Sequence, residues 1–226
     1  MHRYKNPLKK NLLILSGGIE AIEGIKVAKK MGLRTIVCDG NKNAPGKSYA
    51  DEFLIGNIYD PDEIKNIISK YAKKKSIDGV ITIASDAVRS VSAVAKLLSL
   101  SGNSMKTSIL STDKLKMKKV FQKYSVPIPN FVGIKSRNEL HKQIEYFSDA
   151  VLKPVDSRGS RGVIRINKNS DIDKAFDYSM NFSPSKKLIL EKWLSGYQLS
   201  SESLVISGKT HLCGISDRNY SNLKNT

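Results

Sequence analysis

Cysteine is nearly absent from this sequence: Cys38 and Cys213 are the two in 226 residues. Their separation fits neither a disulfide framework nor a thiolate metal site, which points to a reducing compartment. No apolar run approaches the ~18 residues that a membrane-spanning helix needs. The basic start MHRYKNPLKKN is followed by only LLIL before Ser16, Gly17 and Gly18. That is too short for the apolar core of a secretory signal, so a cytoplasmic protein is expected. Internal repeats and low-complexity tracts are also missing. So is the full G-x-G-x-x-G of a dinucleotide fold, because Ala21 and Ile22 stand where later glycines are needed. Asp39, at the end of the second apolar segment, would be the ribose ligand of such a fold. Without the glycines, Gly17–Gly18 reads instead as a tight turn that lets the backbone approach a small ligand.

What is abundant is positive charge. Lysine and arginine number 38 against 21 acids, a net charge of +17. Such an excess invites a nucleic-acid reading, since phosphate neutralisation drives non-specific binding. The lysines, however, are spread over nearly every predicted helix, and the dense runs at 73–75 and 114–119 carry no aromatic platform. They read as solvated helix faces, which leaves nucleic acid as the disfavoured partner. A length of 226 residues, 40% hydrophobic and 26% charged, suits a globular protein of one or two domains.

Residues 11–100 alternate apolar strands with amphipathic helices. Strands are predicted at 12–15, 34–38, 53–55 and 80–83, and helices at 19–31, from Asp60–Pro61 onward, and at 87–98. This alternation predicts βαβ units and a parallel sheet. A boundary falls in the small polar stretch 101–104. A basic helix is predicted at 112–124, capped by Ser111 or Thr112 and ended by the extended Val126–Pro127–Ile128–Pro129. Strand, helix, strand, loop, strand, helix, strand then follow from Phe131 to Glu191, and 198–206 with 210–215 form a hairpin through Ser207–Gly208. The polar residues 216–226 read as a frayed end. The fold class is thus α/β, a parallel-sheet domain (1–104) followed by an incomplete α+β domain (105–226).

Two segments carry the chemistry. In Val151–Gly162, VLKPVDSRGSRG, an apolar strand ends at Lys153 and runs into a loop of glycines, hydroxyls and arginines. Lysine at such a position needs an anion, and the loop's N–H groups can form an anion nest. As a bland alternative, SRGSRG is a solvated turn. In Leu188–Val205 a strand ends at Glu191 and turns through Lys192, Trp193, Leu194, Ser195 and Gly196. A carboxylate there can accept from an adenine amino group, while Trp193 is alternatively a core residue. Asp86, beyond the fourth strand, is either a helix-start acid or a ligand at a strand's C-terminal end.

In their order, the 113–114 helix, Leu152–Lys153–Pro154 with its loop, and Glu191–Leu194 with Gly196 resemble the ATP-grasp superfamily, in its carboxylate–amine ligase branch. The resemblance runs from Asn11 to about Ile215. It implies a pre-ATP-grasp domain, then an ATP-grasp domain with a lid subdomain (112–185) and the start of a C-terminal subdomain (186–226). It implies that Lys114 and Lys153 hold ATP phosphates and that Ser157, Gly159, Ser160, Arg161 and Gly162 belong to the loop closing over them. Glu191 becomes the adenine-amino ligand and Lys192, Trp193 and Leu194 the hinge. Gln198 stands where many members have a ribose-binding glutamate, with Glu202 as a substitute. Gly17, Gly18 and Asp86 fall at substrate-binding positions, although the turn departs from the purine-ligase pattern.

The activity implied is ATP-dependent ligation of a small-molecule carboxylate to an amine through an acyl phosphate, with ATP and Mg²⁺ as cofactors. The resemblance puts the Mg²⁺ ligands and a catalytic arginine past Thr226, so a chain ending there is expected not to turn over. A non-catalytic nucleotide-binding or regulatory module is the alternative, and a homodimer is left open.

Overall fold

The computed structural model describes residues 9–218; the outermost part of the tail read as frayed lies outside them. The chain divides between Thr112 and Asp113 into two compact units. Among the described residues no helix is long and apolar enough to cross a membrane.

The first unit is built on a parallel sheet of β1 (Asn11–Leu15), β2 (Arg34–Asp39), β3 (Glu52–Ile55) and β4 (Gly79–Ile81), in the order β3-β2-β1-β4. Alternating side chains of a strand point to opposite faces, and both faces are used. Leu13, Leu15, Ile36 and Cys38 pack into one core with Ile64 and Ile68 of α2 (Pro61–Ala72) and Val94 of α3 (Val88–Leu97). Ile14 and Val37 point the other way, onto Ile25 and Ala28 of α1 (Ile22–Lys30). Asp60 caps α2 as its sequence suggests, accepting from the N–H groups of Asp62 and Glu63 ahead of Pro61.

The structure corrects three element boundaries. The first helix opens with a 3₁₀ turn, Ile19–Ala21. The strand β4 stops at Ile81, and Thr82 continues the pairing with its side chain, donating to the Leu15 carbonyl at 2.8 Å. Most consequentially, the helix expected at 112–124 is α5 (Lys114–Lys123), and a helix not expected from the sequence, α4 (Met105–Thr112), precedes it. Neither Ser111 nor Thr112 caps α5. Both hydroxyls donate back to the Ser108 carbonyl in their own helix, a habit of serine and threonine near helix ends. The cap is Asp113, whose carboxylate accepts from the Lys116 N–H at 2.9 Å.

The second unit holds an antiparallel sheet of β5 (Phe131–Ile134), β6 (Asp149–Pro154), β7 (Ile164–Asn167) and β8 (Leu188–Lys192), ordered β5-β8-β6-β7. One face, with Ile134, Ala150, Leu152, Ile166, Leu188 and Leu190, packs against α6 (Arg137–Phe147) and α7 (Ile172–Asn181). The period of two then sends Lys153 and Glu191 to the opposite face. That face admits α5: Gly133 of β5 leaves room for Leu115, whose Cδ2 lies 2.8 Å from where a Cβ would stand. Beyond it, β9 (Leu199–Ile206) and β10 (Lys209–Asp217) form a separate two-stranded sheet with a bulge between Leu212 and Gly214.

Candidate functional site

The strand register places the chemistry of the second unit. Lys153 pairs with Ile189, and Glu191 with Val151, so the lysine and the carboxylate are diagonal neighbours on one face. Helix α5 adds two more cations from a single helical face, because Lys114 and Lys118 are four residues apart. Lys118 Nζ lies 3.2 Å from Glu191 Oε2 and Lys153 Nζ lies 2.9 Å from Oε1. All three side chains are largely buried, at 12%, 20% and 7% exposure for Lys118, Lys153 and Glu191. The Oε1 contact is short but off the hydrogen-bond direction; the atom is fully buried with no directed donor among the described residues. It is therefore a charge contact without a hydrogen bond.

Lys114, at the first position of α5, donates to the Ser157 carbonyl at 2.6 Å. Its own N–H donates to the Val155 carbonyl at 2.9 Å, which docks the helix start on the end of β6. The loop that follows β6 is held at both ends. Asp156 accepts from Ser183 Oγ at 3.2 Å and from the Ser185 N–H at 2.9 Å. At the far end Gly162 has φ +74°, and a Cβ there would stand 2.8 Å from Pro154 Cγ and from Phe182 Cβ. No other residue fits that corner. Between the posts, Gly159 and Ser160 also adopt left-handed backbone, and Arg161 folds its N–H and Nε back on the Arg158 carbonyl.

These parts enclose an open cavity of about 280 Å³. Its walls carry the cations Lys114, Lys153, Arg158, Arg161 and Arg218, with Gln198, Ser157, Gly159 and Ser160 among the other lining residues and, among the described residues, no acid. Such a cavity suits a polyanion of nucleotide-phosphate size.

The structure thus brings together Lys114, Lys153, the loop residues and Gln198. Glu202, paired with Gly214 on the exposed hairpin, does not line the cavity. Lys192 and Leu194 are exposed at the end of β8. The Lys192 N–H donates to the Asn130 carbonyl and the Trp193 N–H to that of Asp149. The Trp193 ring lies 4.3 Å under the Arg165 guanidinium, itself held by both oxygens of Asp149. Lys118 and Arg218 were not singled out from the sequence. Lys118 is hidden in a basic run that reads as solvated, and its four-residue spacing from Lys114 is the available signal. Arg218 lies just past β10, and its N–H donates to the Gln198 carbonyl at 2.9 Å.

In the first unit, the Gly17 N–H donates to Asp39 Oδ2 and the Asn41 N–H to Oδ1, each at 2.8 Å. Asp39 therefore ties down its own turn. Gly17 and Gly46 cross closely there, since the Gly46 N–H reaches the Gly17 carbonyl at 2.8 Å and a Cβ on Gly17 would meet Ala44 at 2.9 Å. Gly18 precedes the 3₁₀ turn. Asp86 is exposed and stands before α3, whose cap position is Ala87.

Known proteins are similar to this chain in sequence and fold. Residues 25–102 match the ATP-grasp N-terminal domain, and residues 111–224 match the ATP-grasp domain. A formate-dependent phosphoribosylglycinamide formyltransferase of Prochlorococcus marinus (strain NATL2A) is 26% identical over 215 residues, covering 92% of this chain and 54% of that protein. The crystal structure of phosphoribosylglycinamide synthetase from Anaerococcus prevotii aligns with a TM-score of 0.65 at 25% identity, over 92% of this chain and 51% of the other. An L-amino acid ligase from Bacillus licheniformis aligns with a TM-score of 0.79 at 20% identity, over 95% and 52%, and shows the shared fold. The chain spans about half the length of the curated relatives it matches. With the matched ATP-grasp domain covering half of its residues, and the lysines, glycine loop and strand-end glutamate in one unit, the chain belongs to the ATP-grasp family.

Proposed function

We propose that the cation-lined cavity of the second unit binds the phosphates of ATP, and that the chain supplies the ATP-binding part of a carboxylate–amine ligase. The observation that carries this reading is the cavity wall of three arginines and two lysines, with no acid among the described residues. Its relatives, a formate-dependent phosphoribosylglycinamide formyltransferase and an L-amino acid ligase, fit the same reaction class.

In that reaction a substrate carboxylate oxygen attacks the γ-phosphorus, the bond to the β-bridging oxygen breaks, and ADP leaves. An amine nitrogen then attacks the acyl carbon of the acyl phosphate, inorganic phosphate departs, and the amine gives up a proton. The protein does little covalent chemistry here. Lys114, Lys153, Arg158 and Arg161 compensate charge that spreads over the phosphoryl oxygens, and the loop 157–162 excludes water. Glu191 and the hinge 192–194 are assigned to the adenine, Gln198 to the ribose, and Gly17, Gly18 and Asp86 to the second substrate. Mg²⁺ accompanies ATP in this reading. Among the described residues no group of three or more His, Cys, Asp or Glu side chains is placed to hold a metal.

Calorimetric titration of the chain with ATP tests the proposal. We expect saturable binding, weakened at least ~10-fold in Lys153→Ala, because a charge-assisted phosphate contact is worth about 1.5–3 kcal/mol. Absence of ATP binding, or equal affinity in the variant, defeats it.

A further inference from the structure

Segment 150–162 holds one acid, Asp156, and it stands between Lys153 and Arg158, both of which line the phosphate cavity. A negative charge at that point of the chain works against an anionic ligand. Asp156 is not itself among the lining residues, and both of its oxygens are bonded to the turn 182–187 that joins α7 to β8. Oδ1 accepts from Ser183 Oγ at 3.2 Å and Oδ2 from the Ser185 N–H at 2.9 Å. Ser183 is 2% exposed and is fixed in its turn by Lys187. Its oxygen accepts from the Lys187 N–H at 3.0 Å, and its one proton is shared between Asp156 and the Lys187 carbonyl, 3.0 Å away. The Val155 N–H donates to that same carbonyl at 3.1 Å. The far end of the loop meets the same turn, where a Cβ on Gly162 would stand 2.8 Å from Phe182 Cβ. Both ends of 156–162 thus rest on one short connection. Between them Arg161 folds back on the Arg158 carbonyl, so the two loop arginines belong to a single turn.

We infer that Asp156 is a positioning residue for the phosphate loop: by bonding Ser183 and Ser185 it seats the root of the loop so that Arg158 and Arg161 stand at the cavity wall before a ligand arrives. This rests on the phosphate-binding reading above and adds to it a residue that touches no ligand. Ordering a loop costs conformational entropy, so a loop already seated binds its ligand more tightly than one that must be ordered on binding. Two opposed effects meet in Asp156, and they differ in sign. Its charge weakens the attraction of the cavity for phosphate, and its hydrogen bonds strengthen the grip of the loop. The charge is diluted because it is turned onto the 182–187 connection, whereas the loop has no other side-chain bond at its root among the described residues. The hydrogen bonds therefore outweigh the charge.

The test measures binding of ATP and of inorganic tripolyphosphate to the full chain by calorimetry, in wild type, Asp156→Ala, Asp156→Asn and Asp156→Glu. Tryptic cleavage after Arg158 and Arg161 reports on the loop directly. Asp156→Ala should bind both ligands ~10-fold more weakly, the size of two lost hydrogen bonds, although removing an acid beside cations would by itself tighten them. Asp156→Asn keeps an acceptor for the Ser185 N–H and can donate to the Ser183 oxygen, so it should return to within ~3-fold of wild type. Asp156→Glu keeps the charge but displaces the acceptor by a methylene, so it should bind as weakly as Asp156→Ala. Cleavage in the loop should rise ~10-fold in Ala and Glu, more than cleavage elsewhere in the chain, and stay near wild type in Asn. Should Asp156→Ala fail to fold, the contrast between Asn and Glu decides alone. The inference is overturned by Ala binding as tightly as wild type or tighter, by Glu matching wild type, or by Asn as weak as Glu. Cleavage that rises equally throughout the chain also overturns it, since a merely structural role would do that. In each of these cases the phosphate reading stands. Wild type binding neither ATP nor tripolyphosphate defeats that reading, and this inference with it.

Discussion

Asp51 shows how much one side chain can carry in the first unit. Its Oδ2 accepts from the Thr35 N–H at 2.8 Å and the Thr35 hydroxyl at 3.0 Å, and its Oδ1 lies 2.9 Å from Lys29 Nζ. Burial pushes its carboxyl up, but the Thr35 donors and the Lys29 ammonium outweigh burial and bring it down to about 2. The folded value lies below the unfolded one, so the stabilisation is present above about pH 4 and is lost as pH falls through 2. It amounts to about 2 kcal/mol at most. We expect Asp51→Asn to lose about that much at neutral pH and to flatten the acid limb of denaturant-measured stability between pH 4 and 2. An acid limb as steep as wild type's would show that Asp51 is not its source. Site residues differ in how readable they are from sequence by the same logic of context. Lys153 is legible because a lysine ending an apolar strand demands an anion. Lys118 is not, since a lysine in KLKMKK looks solvated until Gly133 is seen to seat α5 against the sheet. The sequence also suggests Glu191 as an acceptor, but the two ammoniums around it come from elements far apart in the chain.

Among the elements, those with a strong period were readable and those set by side-chain bonding were not. The alternation of apolar strands and amphipathic helices gives the parallel sheet of the first unit, and the Ser207–Gly208 turn gives the hairpin. Helix α4 and the true start of α5 escaped because Ser111 and Thr112 carry the residue type of a cap while bonding backward to Ser108 within α4. The hairpin stands apart energetically. Every residue of β10 is exposed, as are all of β9 except half-buried Ser200, and Leu199, Leu204, Leu212 and Ile215 are each about 60% exposed. A two-stranded ribbon without apolar cover is marginal in water. Strand β8 has Leu188, Ile189 and Leu190 fully buried and is paired on both sides. Hydrogen exchange of the isolated chain should therefore open amides of 199–217 at least ~100-fold faster than those of 188–191. Equal protection in the two segments would mean that the hairpin has cover in solution.

At the scale of the whole molecule the question is what a net charge of +17 does. Many helix lysines are locally matched by acids three residues away, as in Lys26–Glu23, Lys65–Asp62, Lys116–Asp113 and Lys174–Asp171. These exposed pairs add little to stability, but each sets its lysine on a solvated helix face beside an acid, which offsets its attraction for a nucleic-acid backbone. The cavity of the second unit is different in kind, because five cations converge there with Glu191 buried behind Lys153. Two binding behaviours should follow from the two distributions. Spread charge binds single-stranded RNA only through released counterions, so its affinity should fall by ~10³-fold or more between about 50 and 200 mM salt and be indifferent to any one lysine. Convergent charge in a partly enclosed cavity is screened less, so ATP binding should survive that salt range and depend on Lys153. Titrating wild type and Lys153→Ala with labelled RNA and with ATP, at both salt concentrations, separates the two. RNA binding that persists at 200 mM salt and vanishes in Lys153→Ala would assign the cavity to nucleic acid; binding that fades with salt in both proteins, with ATP affinity lost only in the variant, assigns it to the nucleotide.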